Sequence, residues 1–151
     1  MKWKNILPVL MIGMLLGAPQ VFAEAQQWDI DKAHYNIYFK VRHTYSIVIG
    51  HFGNFSGTFK FDPNDKDASG VNLKVDVPSI NTHITKRDNH LRSEEFFDAD
   101  KYPHMTFKST AIKHVEDNRY IIEGDLTVKD VTKRIDVPFK FFGIRDNPLQ
   151  E

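Results

Sequence analysis

Alternation with a period of two runs through most of this chain after Tyr35, and it leaves few folds open. In "YNIYFKVRH" the residues Tyr35, Ile37, Phe39 and Val41 fall on one side and Asn36, Tyr38, Lys40 and Arg42 on the other. Successive side chains of a strand point to opposite faces, so this stretch reads as a strand with one buried face. "FSGTFKFD" repeats the pattern with Phe55, Phe59 and Phe61, and Gly57 sits on the aromatic side, where a glycine marks a bend or a close backbone approach. "GVNLKVDVP" follows with Val71, Leu73, Val75 and Val77, and "MTFKS" with Met105 and Phe107. "YIIEGDLTV" adds Tyr120, Ile122, Leu126 and Val128, and "RIDVPFKFF" adds Ile135, Val137, Phe139 and Phe141. Turn signals at Gly53-Asn54, Asp62 to Gly70 and Glu116-Asp117-Asn118 separate several of these segments.

Short strands that share one apolar face must cover it, either as a sandwich or as a closed barrel. Most of the twelve phenylalanines fall on the inward phase, many for a thin sandwich, and glycines among them bend strands as a barrel requires. The expected class is therefore all-β, an antiparallel β-barrel.

The segment from Ser79 to Pro103 interrupts the alternation. Thr85 with Asp88 predicts a variant capping box for a helix running to His90 and Leu91, and Ser93 predicts the cap of a second turn through Phe97. Leu91, Phe96 and Phe97 are its expected apolar contacts, and Tyr102-Pro103 its end.

A length of 151 residues fits one domain. At the N-terminus Lys2 and Lys4, an apolar run from Ile6 to Gly17 and the site Val21-Phe22-Ala23 read as a secretory signal peptide over residues 1–23, with the domain over 24–151. Basic and acidic residues balance at 20 each, so loss of Lys2 and Lys4 leaves a mature charge of about −2. Without a basic block, nucleic acid is not an expected partner. Cysteine is absent, so disulfides and thiolate ligands are excluded and stability rests on the core and on backbone pairing.

Little points to catalysis or metal. The seven histidines (34, 43, 51, 83, 90, 104 and 114) include no pair at a helical four-residue spacing, and HExxH, GxSxG and phosphate-loop motifs are missing. Asp29 and Asp31 would share a strand face, where solvation accounts for them. The densest polar group is Arg87, Asp88, His90 and Arg92. It allows two readings: Asp88 pairs with a neighbouring arginine while Arg92 faces solvent, or Arg87, His90 and Arg92 bind phosphate or quinone oxygens, which suit the arginine fork.

Three ordered blocks carry a family likeness: "WDIDKAHYNIYFKVRH", "INTHITKRDNHLRSEEFFDADKYPHMTFKS" and "GDLTVKDVTKRIDVPF". Over roughly Trp28 to Gly143 the chain resembles the YceI-like lipid- or polyisoprenoid-binding proteins. The resemblance implies a lipocalin-like barrel in the periplasm of a Gram-negative bacterium, binding, sequestering or transporting a polyisoprenoid-tailed lipid such as a prenyl quinone or prenyl phosphate. It makes Ile37, Phe39, Val41, Phe55, Phe59, Val75, Phe107, Leu126, Phe139 and Phe141 the wall of a ligand cavity. It turns the Arg87 to Arg92 insert into a lid whose Arg87, His90 and Arg92 meet the head group. The implied partners are an isoprenoid lipid, bound without any cofactor, and a membrane touched transiently. Family members usually continue through further strands after the "FFGIRDNP" region, so the resemblance also implies a C-terminally truncated barrel whose open edges would pair in a homodimer. Two other readings stay open: a packed barrel that holds a protein partner in a stress response, and an enzyme acting on an isoprenoid head group.

Overall fold

The computed structural model describes residues 27–28 and 35–144. The expected signal peptide, Asp29, Asp31, His34 and the C-terminal end lie outside them. Nine strands and one helix follow in order: β1 (Gln27–Trp28), β2 (Ile37–His43), β3 (Ser46–Phe52), β4 (Phe55–Lys60), β5 (Gly70–Asp76), β6 (Ile80–Asn81), α1 (Thr85–Arg92), β7 (His104–Glu116), β8 (Arg119–Val128) and β9 (Val131–Lys140). All strand pairs are antiparallel. They form a six-stranded sheet in the order β1-β4-β5-β7-β8-β9 and a three-stranded sheet in the order β2-β3-β6.

The two sheets join at a corner where two connections run side by side. Gly53 and Asn54 carry the chain from β3 into β4, and a 3₁₀ turn over Val77–Ser79 carries it from β5 into β6. Gly53 N–H donates to the Ser79 carbonyl at 3.2 Å, Asn54 N–H to Ser79 Oγ at 3.0 Å and Asp76 N–H to the Asn54 carbonyl at 2.9 Å. The corner's backbone groups thus find partners where ladder pairing stops. Val77, almost fully buried, anchors it from inside.

Apolar side chains gather in two clusters. Phe61, Val71, Phe107, Ile112, Tyr120 and Ile122 fill one, with Trp28, Phe59, Leu73, Leu126, Ile135, Val137, Phe139 and Phe141 packed on them. Phe61 is its centre, with the rings of Tyr120, Phe139 and Phe141 at 5.0, 5.1 and 5.0 Å in edge-on contacts. The second joins Phe52, Val75 and Ile80 to Ile37, Phe39, Phe55, Leu91, Phe97 and Met105.

The all-β, antiparallel class with one helical insert is as expected, but among the described residues the barrel does not close. The outer edge of β2 and the outer edge of β9 have no strand beside them. Two longer strands exceed the expectation, and the two-residue β6 lies inside the segment read as the insert. "SIVIGHF" forms β3, hidden from periodicity because Ile47, Val48 and Ile49 are consecutive. β7 runs to Glu116 because a bulge between Ser109 and Ala111 shifts its phase. There Ser109 Oγ accepts from Val71 N–H at 2.8 Å, and Ile112 rather than Ala111 becomes the next buried residue.

The insert differs in its caps. α1 forms, but Ile84 precedes it and gives no side-chain cap. Asp88 reaches back past the helix end instead, accepting from Thr82 N–H at 2.9 Å and Thr82 Oγ at 2.6 Å. Ser93 Oγ donates to the His90 carbonyl at 2.7 Å, so it closes α1, and the residues after it make turns rather than a second helix. Leu91 and Phe97 join the core, whereas Phe96 is 47% exposed and sits against the His90 ring at 4.7 Å.

Candidate functional site

The inner face of the six-stranded sheet is a continuous apolar surface with a charged end. Register partners align Gly57, Leu73, Phe107, Leu126 and Lys133 directly across β4, β5, β7, β8 and β9. Four strand spacings of about 4.8 Å make this row about 19 Å long. Phe107 is buried, its ring seated over Gly124, where an added Cβ would lie 2.5 Å from the ring and 2.7 Å from the Lys108 carbonyl. Leu73, Leu126, Ile135 and Val137 remain half-buried, and Lys133 is exposed.

One end of the face is filled by the Phe61 cluster, to which Trp28 belongs. The Trp28 indole N–H is buried without an acceptor, unlike any other side-chain nitrogen or oxygen among the described residues. An orphaned buried donor of this kind costs roughly 1–3 kcal/mol, which a ligand oxygen would return. Of two hollows, one of about 250 Å³ lies at the corner around Gly53, Asn54 and Asp76, and one of about 370 Å³ is lined by Gly57, Leu73 and Phe107 of the row together with the outward-phase Thr58, Asn72, Lys74, Thr106 and Lys108.

The other end is capped by the insert. α1 lies against β6, and alternate carbonyls of β6 and its two flanks take the helix's arginines: Arg92 Nε donates to Pro78 O and Nη2 to Ile80 O, both at 2.8 Å, and Arg87 Nη2 donates to Thr82 O at 2.8 Å. Arg87 Nε also donates to Thr82 Oγ at 2.7 Å. The two arginines, with Asp88 on Thr82 N–H, do for this edge of β6 what a neighbouring strand would do. Sequence reasoning placed Arg92 either on the solvated face or at a head group; the structure turns its donors onto main chain. His90 is exposed and pairs with Glu95 at 2.7 Å. The β8–β9 turn holds the insert from above, as Lys129 Nζ donates to the Phe96 carbonyl at 2.9 Å and approaches that of Glu94 at 3.4 Å. Nearby, the exposed Lys101 ammonium is raised above the ordinary lysine value, first by its hydrogen bond with Tyr102.

The model of the YceI-like domain matches residues 28–149. This chain belongs to the YceI-like family. A UPF0312 protein of Pectobacterium atrosepticum is 37% identical over 146 residues, covering 96% of this chain and 76% of its own length. The crystal structure of Burkholderia cenocepacia BcnA superposes with a TM-score of 0.70 at 29% identity, over 73% of this chain and 69% of that one. A polyisoprenoid binding domain from Saccharophagus degradans, implicated in plant cell wall breakdown, shares the fold with a TM-score of 0.51 at 20% identity, over 68% and 59% of the two chains.

Of the expected wall residues, Phe59, Phe107, Leu126, Phe139 and Phe141 come together in the first cluster, and Ile37, Phe39, Phe55 and Val75 in the second. Val41 keeps the inward phase but is 53% exposed, because it lies beyond the part of β2 that the core covers. Among the described residues no three histidine, aspartate or glutamate side chains converge as a metal site. Two residues of the inner face escaped sequence reasoning. Lys133 was legible, since stepping back by two from Ile135 along β9 reaches it; Trp28 was not, because β1 is only two residues long.

Proposed function

We propose that this YceI-like protein is a non-enzymatic periplasmic carrier that sequesters or ferries a lipid with a polyisoprenoid tail along its inner face. The observation that carries this reading is the row from Gly57 to Lys133, apolar across four strands and cationic at its end. A prenyl chain laid on it gains roughly 0.8 kcal/mol for each buried CH₂, before ordering costs, so a tail of several isoprene units binds without any polar contact. Lys133 then meets a phosphate or quinone oxygen, while the insert, clamped by Arg87, Arg92 and Lys129, closes the end where Leu91 and Phe97 face the core. That a domain of the same fold in Saccharophagus is a polyisoprenoid binding domain supports the assignment.

Trp28 reports on this directly, because the only other tryptophan, Trp3, falls in the expected signal peptide. Titration of the mature chain with a long-chain prenyl quinone is expected to quench Trp28 fluorescence saturably, while the quinone head group alone does not. Equal quenching by head group and full lipid would remove the tail as the bound element.

A further inference from the structure

The β2–β3 hairpin departs from the polar-out pattern on its outer face. Opposite the core-facing Phe39 and Phe52, register places Lys40 beside Ile49 and Arg42 beside Ile47. Ile47 and Ile49 are 60% and 52% exposed, and Tyr45 in the turn is wholly exposed. Thr44, next to it, has φ of 52°, a left-handed conformation that a β-branched residue adopts only under strain. No aspartate or glutamate occurs between Asp31 and Asp62. Among the described residues neither Lys40 nor Arg42 has an acidic partner. β6 pairs with β3 only at His51 and Phe52, so residues 46–50 have β2 alone as strand neighbour among the described residues, and the hairpin extends as an arm.

A strand added to the edge of β2 would satisfy its backbone but leave this face uncovered. Exposed isoleucines and a tyrosine beside unpaired cations fit one surface on both counts. In a bilayer interface, aromatic rings sit at head-group depth, aliphatic side chains reach the acyl boundary and basic side chains lie at lipid phosphates. Nucleic acid would engage the cations but offer the isoleucines nothing apolar.

We propose that the β2–β3 arm docks the protein on an anionic bilayer surface, with Tyr45, Ile47 and Ile49 entering the interface and Lys40 and Arg42 at the lipid phosphates. Docking is independent of any lipid on the inner face, since an empty protein carries the same arm. The test is co-sedimentation of the mature protein with vesicles of equal phosphatidylglycerol and phosphatidylcholine, and with phosphatidylcholine alone. Binding is expected to the anionic vesicles, with weakening at high salt. The Lys40→Gln/Arg42→Gln double variant is expected to lower partitioning about 30-fold, at about five-fold for each basic residue near the surface. An Ile47→Ser/Ile49→Ser variant is expected to lower it at least about tenfold with the thermal midpoint unchanged, because both side chains are exposed. A protein that stays in the supernatant with anionic vesicles, or double variants that bind like the unmodified chain, would overturn the proposal.

Discussion

Arg92 offers the sharpest test of whether the insert's arginines build the fold or wait for a ligand. In Arg92→Gln the donors to Pro78 O and Ile80 O, both at 2.8 Å, are lost together with that to Asn89 Oδ1 at 3.1 Å. A hydrogen bond to a charged donor contributes about 1.5–3 kcal/mol. The bond to Ile80 O is partly buried and keeps most of that value; those to Pro78 O and Asn89 are exposed, and water replaces them cheaply. The loss comes to about 2–3 kcal/mol, which for a domain of this size lowers the thermal midpoint by about 8–12 °C. Urea unfolding followed by circular dichroism reads it as a lower midpoint concentration at unchanged slope. Arg92→Lys should recover less than half, because an ammonium cannot span two carbonyls as the fork does. If Arg92→Gln stays within about 0.5 kcal/mol of the parent while prenyl-phosphate binding collapses, the clamp account is wrong and the head-group reading takes its place.

Other outcomes follow from the same packing. Gly124→Ala should cost about 1–3 kcal/mol by urea denaturation, since its Cβ meets the Phe107 ring and the Lys108 carbonyl at once and the carbonyl cannot give way. Phe61→Ala should be more severe, about 3–5 kcal/mol, because a side chain 2% exposed leaves a cavity among three edge-on rings. Lys133→Glu should leave stability nearly unchanged and weaken a prenyl phosphate about tenfold relative to the matching prenol, read by competition for the same Trp28 quenching.

Where one face of a strand is buried, the sequence spelled it out. β5 follows its alternation throughout, β8 does so from Arg119 to Asp125 and β9 from Ile135 onward, because these stretches are covered more on one side than on the other. Legibility failed where a second constraint intervened. β3 is apolar on both phases, and its outer isoleucines belong to the arm rather than the core. Beyond Ser109 the phase of β7 changes because a hydroxyl replaces a ladder partner at Val71. The Arg87 to Arg92 block stood out from its density of charge, yet its two arginines turn donors onto the main-chain oxygens of residues 78, 80 and 82, which no side-chain pattern announces. Asp88 was expected at a helix cap and instead satisfies Thr82, a buried residue six positions earlier. The inward phase of Lys133 can be read along β9, but its alignment with Leu126, Phe107 and Leu73 follows only from pairing register, which distant strands decide together.

The central claim is that the inner face holds a prenyl chain. Native mass spectrometry of the mature protein from a periplasmic extract, with organic extraction of the same sample, tests it most directly. The account predicts a co-purifying mass of a prenyl quinone or prenyl phosphate, retained by the Lys40→Gln/Arg42→Gln arm variant once loaded. A folded, monodisperse protein that carries no lipid and takes up none from added prenyl quinone would contradict it.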